Sequence, residues 1–312
     1  MKKILAIAVA TAISAPAMAD LTIYGGVAVD YINKEVGSVD NSQIQRDDVI
    51  FGMKGASETD GGLIVGGEIK TEGNFAAPTL AYLNVGTEMA TLWAGKFGNP
   101  ADAADAADFS DTNNITHIPG EIDNAVALTV GANGLSAGFG VYQAAPTATS
   151  YSVVSLLGAA PSVKTTAATD TDGTVAQVGY SAGGVSVNVG YHTTGTTKTT
   201  GLKAGYAGDN FSVAAYQVSS DNLTVTGNSS AGTYAEVTTT GVTGSYTMGM
   251  TTLSAVIAED DAEAQGSQDV LALKAAHKLG GGVSAYAEYG NLDRTGSTSD
   301  VTTYTVGMSY MF

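Results

Sequence analysis

The last nine residues, Tyr304-Thr-Val-Gly-Met-Ser-Tyr-Met-Phe312, form an alternating segment tipped by an aromatic ring. Tyr304, Val306, Met308, Tyr310 and Phe312 share one parity, and Thr303, Thr305, Gly307, Ser309 and Met311 share the other. Successive residues of a strand point to opposite faces, so this segment has one greasy face and one smaller, mostly polar face. In water such a strand is an aggregation hazard. In a membrane barrel its apolar face meets lipid and its backbone is paired on both sides. The remaining sequence must then supply the other strands.

Many segments repeat the alternation. Leu21, Ile23, Val27, Val29 and Tyr31 oppose Thr22, Tyr24 and Asp30; Val185, Val187, Val189 and Tyr191 oppose Ser186, Asn188 and His192; Leu271, Leu273 and Ala275 oppose Lys274. This is the pattern of a sheet with two chemically different sides. Tight-turn signals fall at 59–62, 88–89, 132–134, 183–184, 208–210, 248–250 and 280–282. Several carry the Gly or Asn that hairpins need for positive φ. Between them lie mostly longer, polar connections near 33–43, 73–77, 98–121, 144–173, 194–197, 220–232, 259–267 and 292–300. Seven tight turns interleaved with eight other connections require sixteen strands. Short turns on one rim and longer loops on the other fit an all-β, transmembrane antiparallel barrel.

The N-terminus reads as an export signal. Met1-Lys2-Lys3 is basic, Ile4–Ala15 is mostly apolar, and Ala17-Met-Ala19 gives an A-x-A cleavage site. The apolar run is too short for a membrane helix, which needs about 20 residues. Residues 1–19 are therefore expected to be removed, leaving 20–312 as one barrel domain. The chain has no cysteine, so no disulfide scaffold is available. Without Lys2 and Lys3 it carries 11 basic against 30 acidic residues, a formal net of −19. Phosphate binding needs clustered Lys and Arg, so nucleic acid is excluded as a partner.

Short motifs then sharpen the reading. Leu21-Thr-Ile-Tyr-Gly-Gly-Val-Ala-Val-Asp30, directly after the signal, resembles the first strand of Gram-negative general diffusion porins, above all the neisserial-type trimeric branch. Phe51-Gly-Met-Lys-Gly55 is similar to their second-strand segment, and Ala94-Gly95-Lys96 to the strand end before their third loop. Tyr304, Tyr310 and Phe312 resemble their assembly signal for the barrel-assembly machinery. The resemblance implies a homotrimer in outer-membrane lipid, a third extracellular loop folded into the barrel, and passive diffusion of ions and small hydrophilic solutes. It implies no reaction and no cofactor. The third loop lacks the Pro-Glu-Phe-Gly segment of the enterobacterial branch.

On that reading the third loop supplies an acidic pore constriction. Asp102, Asp105, Asp108 and Asp111 recur every third residue, and Glu121 follows. Carboxylates at a constriction raise local cation concentration and repel anions. The alternative is a solvated acidic loop on the cell surface. Arg46, Lys54, Lys70 and Lys96 are expected on the pore wall opposite, with Trp93 and Phe97 facing lipid as part of an aromatic belt. His117, His192 and His277 have no metal-ligand spacing. Asp111, Ser110 and His117 are the only grouping that suits a catalytic barrel. Other readings left open are a substrate-selective channel, a surface adhesin using the 144–173 loop, and a soluble secreted β-sandwich.

Overall fold

A computed structural model describes residues 21–73, 77–105, 118–144, 171–225, 232–262, 266–294 and 300–312. The expected signal peptide, Asp108, Asp111, Ser110 and His117 lie outside the described residues.

Sixteen strands form a closed antiparallel barrel in which each pairs with its sequence neighbours and the last pairs with the first. They are β1 (Thr22–Val36), β2 (Val39–Glu58), β3 (Ile64–Glu72), β4 (Pro78–Gly86), β5 (Ala90–Gly98), β6 (Glu121–Ala132), β7 (Leu135–Ala144), β8 (Thr171–Ala182), β9 (Val185–Thr194), β10 (Thr197–Ala207), β11 (Phe211–Val225), β12 (Gly232–Met248), β13 (Thr251–Ala262), β14 (Gly266–Gly280), β15 (Val283–Arg294) and β16 (Val301–Met311). The tight turns gather on one rim. At β6–β7, Asn133 and Gly134 both take positive φ, 52° and 82°, as a two-residue hairpin with right-handed strand twist requires.

The other rim differs from expectation at β1–β2. Instead of a loop over 33–43, the ladder continues to Val36↔Val39 across a two-residue turn. Polar residues there are strand residues standing beyond the apolar band: the Asn33 amide donates to Asp40 at 2.6 Å and to the Ser42 hydroxyl at 2.9 Å. A polar run therefore does not distinguish loop from a hairpin extending into water.

Cross-strand pairs place the two faces. Val29, Val187, Val189, Leu202, Ile257, Val306 and Met308 are exposed on the outer face, where the bilayer is their solvent. The opposite parity faces inward and carries two apolar clusters. One comprises Phe97, Ile122, Ala125, Ala127, Tyr142 and Val175, with Tyr82 and Trp93 against it. The second comprises Tyr216, Val256, Ala258, Val270, Ala272, Leu292 and Val301.

Inward glycines accommodate rings. Tyr24, Tyr142, Tyr216 and Tyr286 stand directly opposite Gly52, Gly173, Gly241 and Gly307 on the adjoining strand. Each ring occupies the space that a Cβ on its glycine would fill. The aromatic is thus laid flat against the wall instead of projecting across the interior.

Candidate functional site

After β5 the chain turns inside the barrel. Asn99 caps a 3₁₀ turn over Pro100–Ala104, its side chain accepting the Ala101 N–H at 3.0 Å. Proline at the first position of such a turn loses no hydrogen bond. The described chain resumes at Ile118, and a clasp joins the two arms. The Asn99 amide donates to the Pro119 carbonyl at 2.8 Å, and the Asn99 N–H donates to the Gly120 carbonyl at 2.8 Å. The Ile118 N–H donates to the Asp105 carboxylate at 2.7 Å. Ala101, Ala104 and Ile118 are fully buried with Val218 of β11. The turn packs against inward residues of β7, β9 and β10.

Three residues per 3₁₀ turn put Ala101 and Ala104 on the wall side. Asp102 and Ala103 are the exposed side. Asp105, by contrast, is 4% exposed and closes the clasp. It is a buried acceptor, not a carboxylate on open water. Glu121 pairs with Gly98 on the parity opposite the inward pair Phe97↔Ile122. It faces away from the lumen, which corrects its place in the acidic constriction.

The basic residues also divide. Lys54 and Lys70 face inward beside Glu68 and Glu72. The Lys70 Nζ lies 2.6 Å from Glu72, and the Lys54 Nζ lies 5.6 Å from the centre of the Tyr24 ring. Glu68 accepts the hydroxyl of Tyr82 at 2.9 Å and that of Tyr24.

Arg46 does not join them. The register slips by one residue between Ala28↔Asp48 and Val29↔Arg46, so Asp47 is a bulge. Beyond it the parity reverses, and Arg46 shares the outer face of Val29.

Lys96 is likewise outward, in line with Leu92 and Ala94, which pair with Val85 and Leu83 on the lipid side. Its Nζ donates to the Pro78 carbonyl at 3.2 Å. Trp93 and Phe97 face inward instead of forming a belt. The Trp93 ring lies 5.2 Å from Tyr82 and 5.9 Å from Phe97, and its N–H donates to the Thr129 hydroxyl at 2.9 Å.

Several inward groups were not singled out from sequence. Lys274 and Glu288 form an ion pair at 2.5 Å, with the ammonium 5.1 Å from the Tyr286 ring centre. Asp30 and Asp260 are buried, and Asp260 accepts from the Thr239 hydroxyl at 3.0 Å. Lys34 stands with Asn41, Gln43, Gln45 and Thr303 around a polar recess of about 290 Å³ near the loop rim. Their strand parity was available in the sequence, but the bulge at Asp47 hid which face Gln43 and Gln45 occupy.

At the barrel closure, Phe312 exchanges backbone hydrogen bonds with Gly25 at 2.9 and 3.2 Å. Tyr310 and Phe312 lie outward with ring centres 6.0 Å apart, and Tyr304 packs 5.3 Å from Tyr289.

A family model described as Gram-negative porin matches residues 6–297. Comparison with curated protein sequences finds no match. Among solved structures, the anion-selective porin from Comamonas acidovorans superposes with a TM-score of 0.71 at 16% identity, covering 94% of this chain and 100% of that one. OmpF of Salmonella typhi, in complex with daunomycin, gives 0.71 at 16% identity over 94% and 97% of the two chains. OmpT, an outer membrane protein of Vibrio cholerae, gives 0.66 at 16% identity over 94% and 97%. At such identities the structural likeness establishes the barrel, while the family model spans nearly the whole sequence. The chain belongs to the Gram-negative porin family.

Proposed function

We propose that this barrel is an outer-membrane channel through which ions and small hydrophilic solutes diffuse passively, with a preference for cations. The observation that carries this reading is the sixteen-strand closed wall, apolar outside and charged within. Barrels of 16–18 strands enclose an aqueous channel, whereas about eight strands are filled by their own side chains. Mechanism then reduces to the width left beside the inward segment and to the charges that water reaches.

The cation preference is supported by the formal net charge and by the inward acids Asp30, Asp48, Glu58, Glu68, Glu72, Asp260 and Glu288 against Lys34, Lys54, Lys70, Lys203, Lys274 and Lys278. Asp102 adds a carboxylate on the exposed side of the 3₁₀ turn, and Asp108 and Asp111 belong to the same proposed constriction. One observation favours weak selectivity as the second reading: Asp30, Asp105 and Asp260 are buried, while Lys34 and Lys54 are exposed. Reversal potentials in a salt gradient across a planar bilayer separate the two. Anion selectivity, or no conductance, overturns the proposal.

The working unit is proposed to be a homotrimer in outer-membrane lipid, inserted by the barrel-assembly machinery acting on Tyr304, Tyr310 and Phe312. Removal of residues 1–19 completes the reading, and mass spectrometry of the exported chain tests it by an N-terminus at Asp20.

A further inference from the structure

One directly paired row crosses the inner wall from β7 to β11: Gly138, Gln177, Gly190, Gly201 and Val218. The 3₁₀ turn lies along it. A Cβ at Gly138 would sit 2.8 Å from the Pro100 Cβ. One at Gly201 would sit 2.7 Å from the Ala104 carbonyl oxygen and 3.0 Å from the Ile118 Cδ1. One at Gly190 would run into the Ala101 carbonyl oxygen and stand 3.0 Å from the Ala104 Cβ. At Gly190 and Gly201 the obstacle is backbone, which cannot give way by rotating a side chain.

We propose that this glycine row is the seat that fixes how far the turn Pro100–Ala104 and Ile118 stand from the wall, and so sets the width of the water path beside them. The inference rests on the channel reading. Asn99 and Asp105 tie this turn to Pro119 and Ile118, so a methyl group under it pushes the turn and Ile118 together toward the lumen. Gly190 and Gly201 are therefore positioning residues for conduction although neither carries a group that meets a solute.

The test is single-channel conductance of the full chain in planar bilayers, comparing the unmodified protein with Gly190→Ala, Gly201→Ala and Gly244→Ala. Gly244 faces outward, and a Cβ there meets nothing closer than the Ser212 carbonyl oxygen at 3.4 Å. Conductance is expected to fall in the first two variants and to stay unchanged in the third. Equal conductance in all four proteins overturns the seat, whereas silence of the unmodified protein overturns the channel reading.

A second measurement leaves the glycines alone, should those variants fail to insert. The chain has no cysteine, so single thiols are unambiguous. Ala103→Cys, on the exposed side, is expected to react with a charged, membrane-impermeant thiol reagent and to lose current. Ile118→Cys, a smaller side chain at a fully buried position over Gly201, is expected to be protected. Labelling at equal rates removes the seat.

Discussion

The inner wall is two surfaces built from one strand pattern. Across β7–β9 its residues include Ser136, Gly138, Gly140, Tyr142, Gly173, Val175, Gln177, Gly179, Ser181, Ser186, Asn188, Gly190, His192 and Thr194, with no Asp, Glu, Lys or Arg on that face among the described residues. Across β1–β3 the same parity carries Asp30, Lys34, Asp48, Lys54, Glu68, Lys70 and Glu72. The first surface is made small so that another piece of chain can lie on it. The second is made ionic so that water and solutes can. Inward parity thus fixes that a residue leaves the lipid, and what it then meets depends on where the inward segment lies.

The contrast is most strongly tested at the packed surface. Ile118→Ala removes a fully buried side chain from the seat. Deletions of this kind cost about 2–5 kcal/mol in packed interiors. The expected result is a lower urea midpoint for loss of heat-modifiable gel migration, and no shift would mean that the seat is loosely filled. Next comes the boundary between lipid and lumen. Val189 faces out and its neighbour Asn188 faces in. Val189→Arg is expected to destabilise insertion by about 2–4 kcal/mol if it lies near the bilayer midplane, whereas Asn188→Arg should insert normally. Equal effects of the two would refute the assigned parity.

A smaller effect separates two carboxylates three residues apart. Asp105→Ala leaves the buried Ile118 N–H without its acceptor, a loss of about 1–3 kcal/mol. It should add open-channel noise while leaving reversal potentials nearly unchanged. Asp102→Asn, on the exposed side, should instead lower cation preference. Finally, Lys54→Glu on the ionic surface is expected to raise cation preference modestly. That gain should fade as salt rises, since exposed charges are screened over about 8 Å at physiological ionic strength. Reversal potentials at two salt concentrations check it.

The barrel was legible because its evidence is redundant. Period-two stripes recur on strand after strand, and Gly or Asn marks the tight turns of one rim. A single misread segment does not change a count of sixteen. Individual site residues have no such redundancy. One extra residue at Asp47 turns Arg46 outward, and composition gives no sign of it. A second irregularity, where Gly95↔Ala125 gives way to Phe97↔Ile122, accompanies Asn124 at φ 49°. β5 misled for a different reason: Leu92 and Trp93 make both of its faces apolar, so periodicity cannot choose between them. The glycines of the seat resembled ordinary strand glycines because their purpose is a contact with residues some ninety positions away, such as Gly190 with Ala101.

The ladder between β1 and β16, from Gly26↔Met311 to Val36↔Val301, joins the first and last strands of the sheet. That seam cannot be sewn until the final strand has been delivered. An unclosed sheet would carry two raw hydrogen-bonding margins, and joining these two strands removes both at once.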